Sequence, residues 1–129
     1  MTVWHTSIYK RKKSGGKKGT QRKRKRFERG DDPLLPVVGD RDVVVKRVRG
    51  GGTKVAIKSD NKANVVDPQT NTVTRTDVLS VRDNPANRDF ARRGVITRGA
   101  IIETPLGLAR VVSKPSSAGT INAVLIKQS

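Results

Sequence analysis

An all-β fold, a small β-barrel of about six strands behind a basic N-terminal arm, is the class this sequence predicts, and three observations predict it. Residues 31–129 hold 16 Val and 6 Ile against 6 Leu, and β-branched side chains suit a pleated, half-buried surface better than a helix. Short runs alternate apolar with polar residues, as in Lys54-Val55-Ala56-Ile57-Lys58 and Thr72-Val73-Thr74-Arg75-Thr76, which is the period of a strand with one buried face. Turn formers interrupt these runs at close intervals, and closing so many short strands into a barrel removes edges that a small domain cannot otherwise cover.

Taken in order, strands are expected at 42–49, 53–59, 64–66, 72–81, 95–97, 99–103, 108–113 and 120–127. Ala100-Ile101-Ile102 and Ala123-Val124-Leu125-Ile126 read as buried on both faces. Gly50-Gly51-Gly52, Asp60-Asn61, Asp67-Pro68-Gln69-Thr70-Asn71, Pro105-Leu106-Gly107 and residues 115–119 supply the turns. One short helical segment interrupts the β pattern. Asn84 is its expected cap, with Pro85 at the first position and Gly94 just past the end. No internal repeat is visible.

Two parts are expected: a basic extension and linker over residues 1–36, and the β-barrel domain over 37–129. A chain of 129 residues has material for one hydrophobic core. Its charge is concentrated at one end. Residues 1–30 carry 12 Lys or Arg and a single acid, Glu28, whereas residues 31–129 carry 16 and 10, for a net +17 overall. Between Lys10 and Arg29 almost nothing is apolar, Gly15, Gly16 and Gly19 loosen the backbone, and like charges repel at every helical spacing. Alone in water this arm is expected to be disordered or extended. Asp31, Asp32, Pro33 and Pro36 then end the basic run.

The composition excludes several chemistries. Without cysteine there is no disulfide, thiolate metal site or Cys nucleophile, and with His5 as the one histidine there is no His-based triad or multi-histidine metal site. Asp31, Asp32, Asp40, Asp42, Asp60, Asp67, Asp77, Asp83 and Asp89 nearly all neighbour turns, where Asp has a local backbone role. Ser14-Gly15-Gly16-Lys17-Lys18-Gly19-Thr20 lacks the spacing of a phosphate loop and no strand precedes it. Neither a catalytic site, a metal, a cofactor nor a small-molecule substrate is therefore expected. No run of 18 apolar residues occurs and no apolar stretch follows the first charges, so no membrane span or signal peptide is expected.

A large anionic partner is the natural counterweight to such a charge. Lys10, Arg11, Lys12 and Lys13, then Lys17 and Lys18, then Arg22, Lys23, Arg24, Lys25 and Arg26 form three basic clusters with Arg29 beyond them. Flexible glycines between clusters let such a segment follow a phosphate backbone, and each phosphate neutralised releases counterions. A solvated tail, a nuclear-import signal or a polybasic membrane anchor would share this charge, although the chain has neither lipid motif nor apolar amphipathic face for the last. Trp4, Tyr9 and Phe27 flank the clusters, where base stacking and packing on the body are both open. In the body, Arg47, Arg49 and Lys54, with Lys46 adding to them, are expected to converge around Gly50 and Gly51, whose backbone can approach a phosphate closely. Arg88, Arg92 and Arg93 form a second patch, for which a solvated helix face accounts nearly as well.

The run Arg11-Lys12-Lys13-Ser14-Gly15-Gly16 and the run Arg22-Lys23-Arg24-Lys25-Arg26-Phe27-Glu28-Arg29-Gly30 together resemble a signature of small-subunit ribosomal protein eight of the archaeal and eukaryotic type, the S-eight-e family. The resemblance extends to Arg47-Val48-Arg49-Gly50-Gly51, to Asn84-Pro85-Ala86 and to the stretch from Gly94 to Val111, and so covers nearly the whole chain. Eukaryotic members carry a long insertion that is missing here, which makes the chain similar to the short archaeal form. The resemblance implies a structural constituent of the small ribosomal subunit, supporting translation in the cytoplasm, with ribosomal RNA and other small-subunit proteins as partners. It also implies that Ser14, Gly15 and Gly16 and the residues from Arg22 to Arg29 contact RNA. A ribosome-assembly factor or a general RNA-binding protein is the alternative.

Overall fold

A computed structural model describes residues 3–6, 10–19 and 22–126, and the chain forms two compact units, Met1–Pro33 and Leu34–Ser129. Tyr9 and the last residue of the strand expected at 120–127 lie outside the described residues. In the first unit, β1 (Val3–Trp4) pairs antiparallel with β2 (Arg29–Gly30), Val3 opposite Gly30 and Trp4 opposite Arg29. A single 3-10 turn, Arg26–Glu28, leads into β2. A Cβ on Gly30 would collide with the imidazole of His5, so any larger residue here would have to displace that side chain.

The second unit is all-β, as expected. β3 (Asp42–Arg47) and β4 (Thr53–Ser59) form an antiparallel hairpin. β5 (Lys62–Asp67), β6 (Thr72–Asp77), β7 (Ser80–Asp83), β8 (Ile101–Thr104), β9 (Gly107–Val111) and β10 (Ile121–Leu125) build a six-stranded sheet in the order β6-β5-β10-β9-β8-β7. All its pairings are antiparallel except β5 with β10.

This sheet is not closed into the expected barrel. No ladder joins its end strands, β6 and β7, because they are successive parts of one chain segment that bends between them. The Val78 amide donates to the Asn61 carbonyl at 2.7 Å and the Leu79 amide to the Glu103 carbonyl at 2.9 Å. The segment thus transfers its pairing from β5 to β8 within two residues. The single strand expected over 72–81 is divided at this bend. The strand expected at 95–97 is also absent: Val95 makes only an isolated bridge to Val37, which bridges Ser59 as well.

One face of the sheet carries the core. Ala63 and Val65, Ala109 and Val111, and Ile121 and Ala123 alternate inward and pack with Ile57, Ile96, Ala100 and Ile102. Small alanines beside larger aliphatics interdigitate on this face and fill the core. Burial on both faces, expected around Ile101 and Val124, does not occur, because both are only half-buried on the opposite side from Ile102 and Ala123.

Two short helices complete the unit. α1 is Arg88–Arg92, and its cap is Asn87, whose side chain accepts from the Asp89 amide at 2.9 Å. Asn84, the expected cap, is instead buried. Its amide donates to the Val95 carbonyl at 3.2 Å, while its oxygen accepts from the Thr97 hydroxyl at 2.9 Å and the Ala86 amide at 3.1 Å. A side chain engaged by three internal groups is not available to a helix terminus. α2, Pro115–Ala118, occupies a segment that reads as a turn, with Pro115 in its first turn and Gly119 ending it at φ +73.

Candidate nucleic-acid interface

The basic arm is locally organised by a turn. The Lys12 amide donates to the Gly16 carbonyl at 2.9 Å, the Gly15 amide to the Lys12 carbonyl at 3.0 Å, and Arg11 bridges Lys17 across the pair. Gly15 takes φ +85, which an L side chain rarely adopts, and Arg11 Nη1 donates to its carbonyl at 3.1 Å. Lys10, Arg11, Lys12 and Lys13 are thereby set across the turn from Lys17 and Lys18, with Ser14, Gly15 and Gly16 at its tip. Apart from half-buried Lys18, all of these residues are exposed.

The third cluster is built around aromatic rings. Arg24 lies over the Trp4 ring at 5.4 Å from its centroid, and Arg22 over Phe27 at 5.7 Å, both within cation–π range. Arg22 also pairs with Glu28 at 2.5 Å, and the Lys25 amide donates to the same carboxylate at 3.0 Å. The Arg22 hydrogen bond first, and the Lys25 amide second, hold the Glu28 carboxyl below its ordinary pKa. The arm's single acid is therefore committed to Arg22, and Lys23, Arg26 and Arg29 stand exposed with no acidic partner among the described residues. Phe27 keeps 75 % of its surface exposed, so packing does not account for it.

In the body, Arg49, Gly50 and Gly51 form the tip of the β3–β4 hairpin. Gly50 and Gly51 take φ +84 and +82, and a Cβ on either would meet nothing within 4 Å, so conformation rather than space requires glycine. The Val48 amide closes the loop onto the Gly52 carbonyl at 2.8 Å. Only part of the expected convergence occurs. Lys46 faces Lys54 directly across the ladder, whereas Arg47 faces Thr53 and so projects from the other side of the hairpin. The helix patch is partly neutralised: Asp89 pairs with Arg92 at 2.7 Å and Arg93 at 4.0 Å.

A further group of cations escapes a reading by sequence clusters. Arg41, Lys62 and Arg75 are distant from one another in the chain, yet all three line one cleft of the body. Only the β5–β6 register and the Arg41–Asp60 ion pair bring them together. Among the described residues, no three or more His, Cys, Asp or Glu side chains assemble as a metal site, and no helix is long and apolar enough to cross a membrane.

These features define the class: a small, strongly basic all-β protein whose surface carries many unpaired cations. The model of the family described as ribosomal protein S8e matches residues 5–126. Similar proteins include the small ribosomal subunit protein eS8 of Sulfolobus acidocaldarius, 42% identical over 92% of this chain and 93% of the relative. The proteins of the same name from Sulfurisphaera tokodaii and Saccharolobus solfataricus are 44% and 45% identical, over 92% and 91% of this chain and 93% and 89% of theirs. The chain belongs to the ribosomal protein S8e family, a family of structural rather than catalytic proteins.

Proposed function

We propose that this chain is a structural constituent of the small ribosomal subunit that grips ribosomal RNA through its basic extension, residues 1–36, and through the hairpin loop of its body, residues 37–129. The observation that carries the reading is the arm itself: residues 1–30 hold 12 cations against one acid, Glu28, with that acid already engaged by Arg22. Lys10, Arg11, Lys12, Lys13, Lys17 and Lys18 meet phosphates on both sides of the Ser14-Gly15-Gly16 turn. Lys23, Lys25, Arg26 and Arg29 extend the contact, and Arg22 and Arg24 reach it from their aromatic supports. Arg47, Arg49 and Lys54 add contacts at the hairpin, where Gly50 and Gly51 leave backbone amides accessible. The body's one aromatic residue is Phe90, so stacking of many bases is not its mode of recognition, and the target is recognised by folded shape. The relatives' shared name supports the other small-subunit proteins as partners and the ribosome as the site of work.

The test is the affinity of the full chain for a folded domain of small-subunit RNA, for the same sequence scrambled, and for poly-uridine, at one physiological salt concentration. The folded domain is expected to win by at least about tenfold, near 1.4 kcal/mol. A smaller margin would make the protein a general polyanion binder.

A further inference from the structure

We propose that the cleft lined by Arg41, Asp60, Lys62, Asn64, Arg75 and Thr120 is a second nucleic-acid site, which seats a phosphodiester of the RNA backbone on the sheet itself, apart from the hairpin loop. The proposal rests on the RNA-binding reading above but concerns residues outside its clusters. The cleft encloses about 310 Å³, and its chemistry is organised from beneath. Asp60 is buried to 1 % exposure and accepts from the Lys62 amide at 3.1 Å and from the Arg41 guanidinium. Arg41 Nη2 also donates to the Gly119 carbonyl at 3.4 Å. Its head group is therefore oriented before any ligand arrives, which reduces the ordering cost of binding.

One cation suffices to balance Asp60, and Arg41 supplies it. Lys62 and Arg75 are then in excess, exposed and without an ion pair among the described residues. They are diagonal neighbours on the outward face, because Asn64 pairs with Arg75 and Lys62 with Asp77. Long side chains at such positions reach each other, so the two like charges share the mouth of the cleft. Asp77 offsets Lys62 in part but does not line the cleft. Three cations gathered in a concavity over one buried acid fit an anion of fixed geometry. Neutral groups complete the site. The Thr120 hydroxyl is held only at 3.5 Å by Asn122 and is able to donate to a phosphate oxygen, while Asn64 is fixed by donating to Asn122 at 3.0 Å. A bidentate guanidinium contact with a phosphate is the strongest this set offers.

The experiment uses the full chain with its arm intact. Binding of the folded small-subunit RNA domain is measured across a salt series for the unaltered chain, for Lys62→Gln/Arg75→Gln, for Arg75→Glu, and for Arg82→Gln/Arg98→Gln, which removes equal charge at exposed positions outside every cluster named above. The cleft pair is expected to weaken binding roughly tenfold and reduce the slope of log affinity against log salt by about 1, since one phosphate contact is lost. Arg75→Glu should weaken it further, and the control pair should do distinctly less. Thermal melting of each variant confirms that the exposed positions leave the fold intact. Affinity and slope unchanged in the cleft variants, or equal losses in the control pair, overturn the cleft while leaving the RNA reading standing. An unaltered chain that binds no RNA overturns both. Saturable shifts of the Lys62 and Arg75 side-chain resonances with inorganic phosphate, without any with RNA, would overturn the assignment to a phosphodiester.

Discussion

Asn84 shows how one buried amide can join segments that share no ladder. It satisfies the Val95 carbonyl, the Thr97 hydroxyl and the Ala86 amide at once, so Asn84→Ala leaves a buried carbonyl and two partly buried groups without this partner. The expected cost is about 2–4 kcal/mol, read from denaturant unfolding of the variant beside the unaltered protein. Glu28 offers a pH-dependent counterpart in the arm. Its pKa is depressed by Arg22 and then by the Lys25 amide, so the stabilisation is present above the ordinary glutamate range and disappears as pH falls through the depressed value. A carboxyl titration followed by NMR should place the Glu28 midpoint below that of an ordinary glutamate, and Arg22→Gln should move it upward. An unmoved midpoint would mean that the ion pair does not persist in solution. The sequence points plainly to Arg22 and Glu28 as arm residues. The role of Asn84 is not legible there, because an Asn before a proline suits a helix cap equally well and nothing local announces that Val95 needs a donor.

The β3–β4 hairpin is largely legible in the sequence, since a valine run marks β3, alternation marks β4 and a triple glycine marks the turn, although the strand expected to reach residue 49 ends at Arg47. What alternation does not reveal is which cations share a side: that follows from register, which pairs Lys46 with Lys54 and turns Arg47 away. At the loop, Gly51→Val forces a β-branched side chain to φ +82 and should cost about 1–2 kcal/mol of stability. If backbone approach to RNA also matters, affinity should fall further than that loss of folding explains, and titration alongside thermal melting separates the two effects. The bend at Val78 and Leu79 lies beyond the reach of periodicity, because the residues on each side alternate as one strand would. Pairing partners on opposite edges, Asn61 and Glu103, decide that it is two.

At the scale of the molecule, every core residue among the described residues falls within Leu34–Ser129, while the most concentrated charge precedes it in the sequence. Deleting residues 1–33 should therefore leave the melting temperature of the body nearly unchanged while weakening RNA binding by orders of magnitude and flattening its salt dependence. An unchanged salt slope would locate the binding energy in the body. Charge segregation of this kind is visible in the sequence, whereas the cleft is not, because Arg41, Lys62 and Arg75 meet only once strands from separate parts of the chain have found their register. The position of β10 also sets an order of events in folding. It follows all the other strands in the chain, yet it lies between β5 and β9, and Asn122 meets Asn64 across a separation of 58 residues. Until β10 has been synthesised, the β5–β6 hairpin and the β7-β8-β9 meander are linked by no strand pairing, only by the chain through Val78 and Leu79. Such long-range closure is slow, and two interior edges stay open to mispairing in the meantime. A chain ending at residue 119 should consequently lose cooperative melting altogether, and in the cell the nascent protein should depend on prompt completion, or on a chaperone, to avoid aggregation.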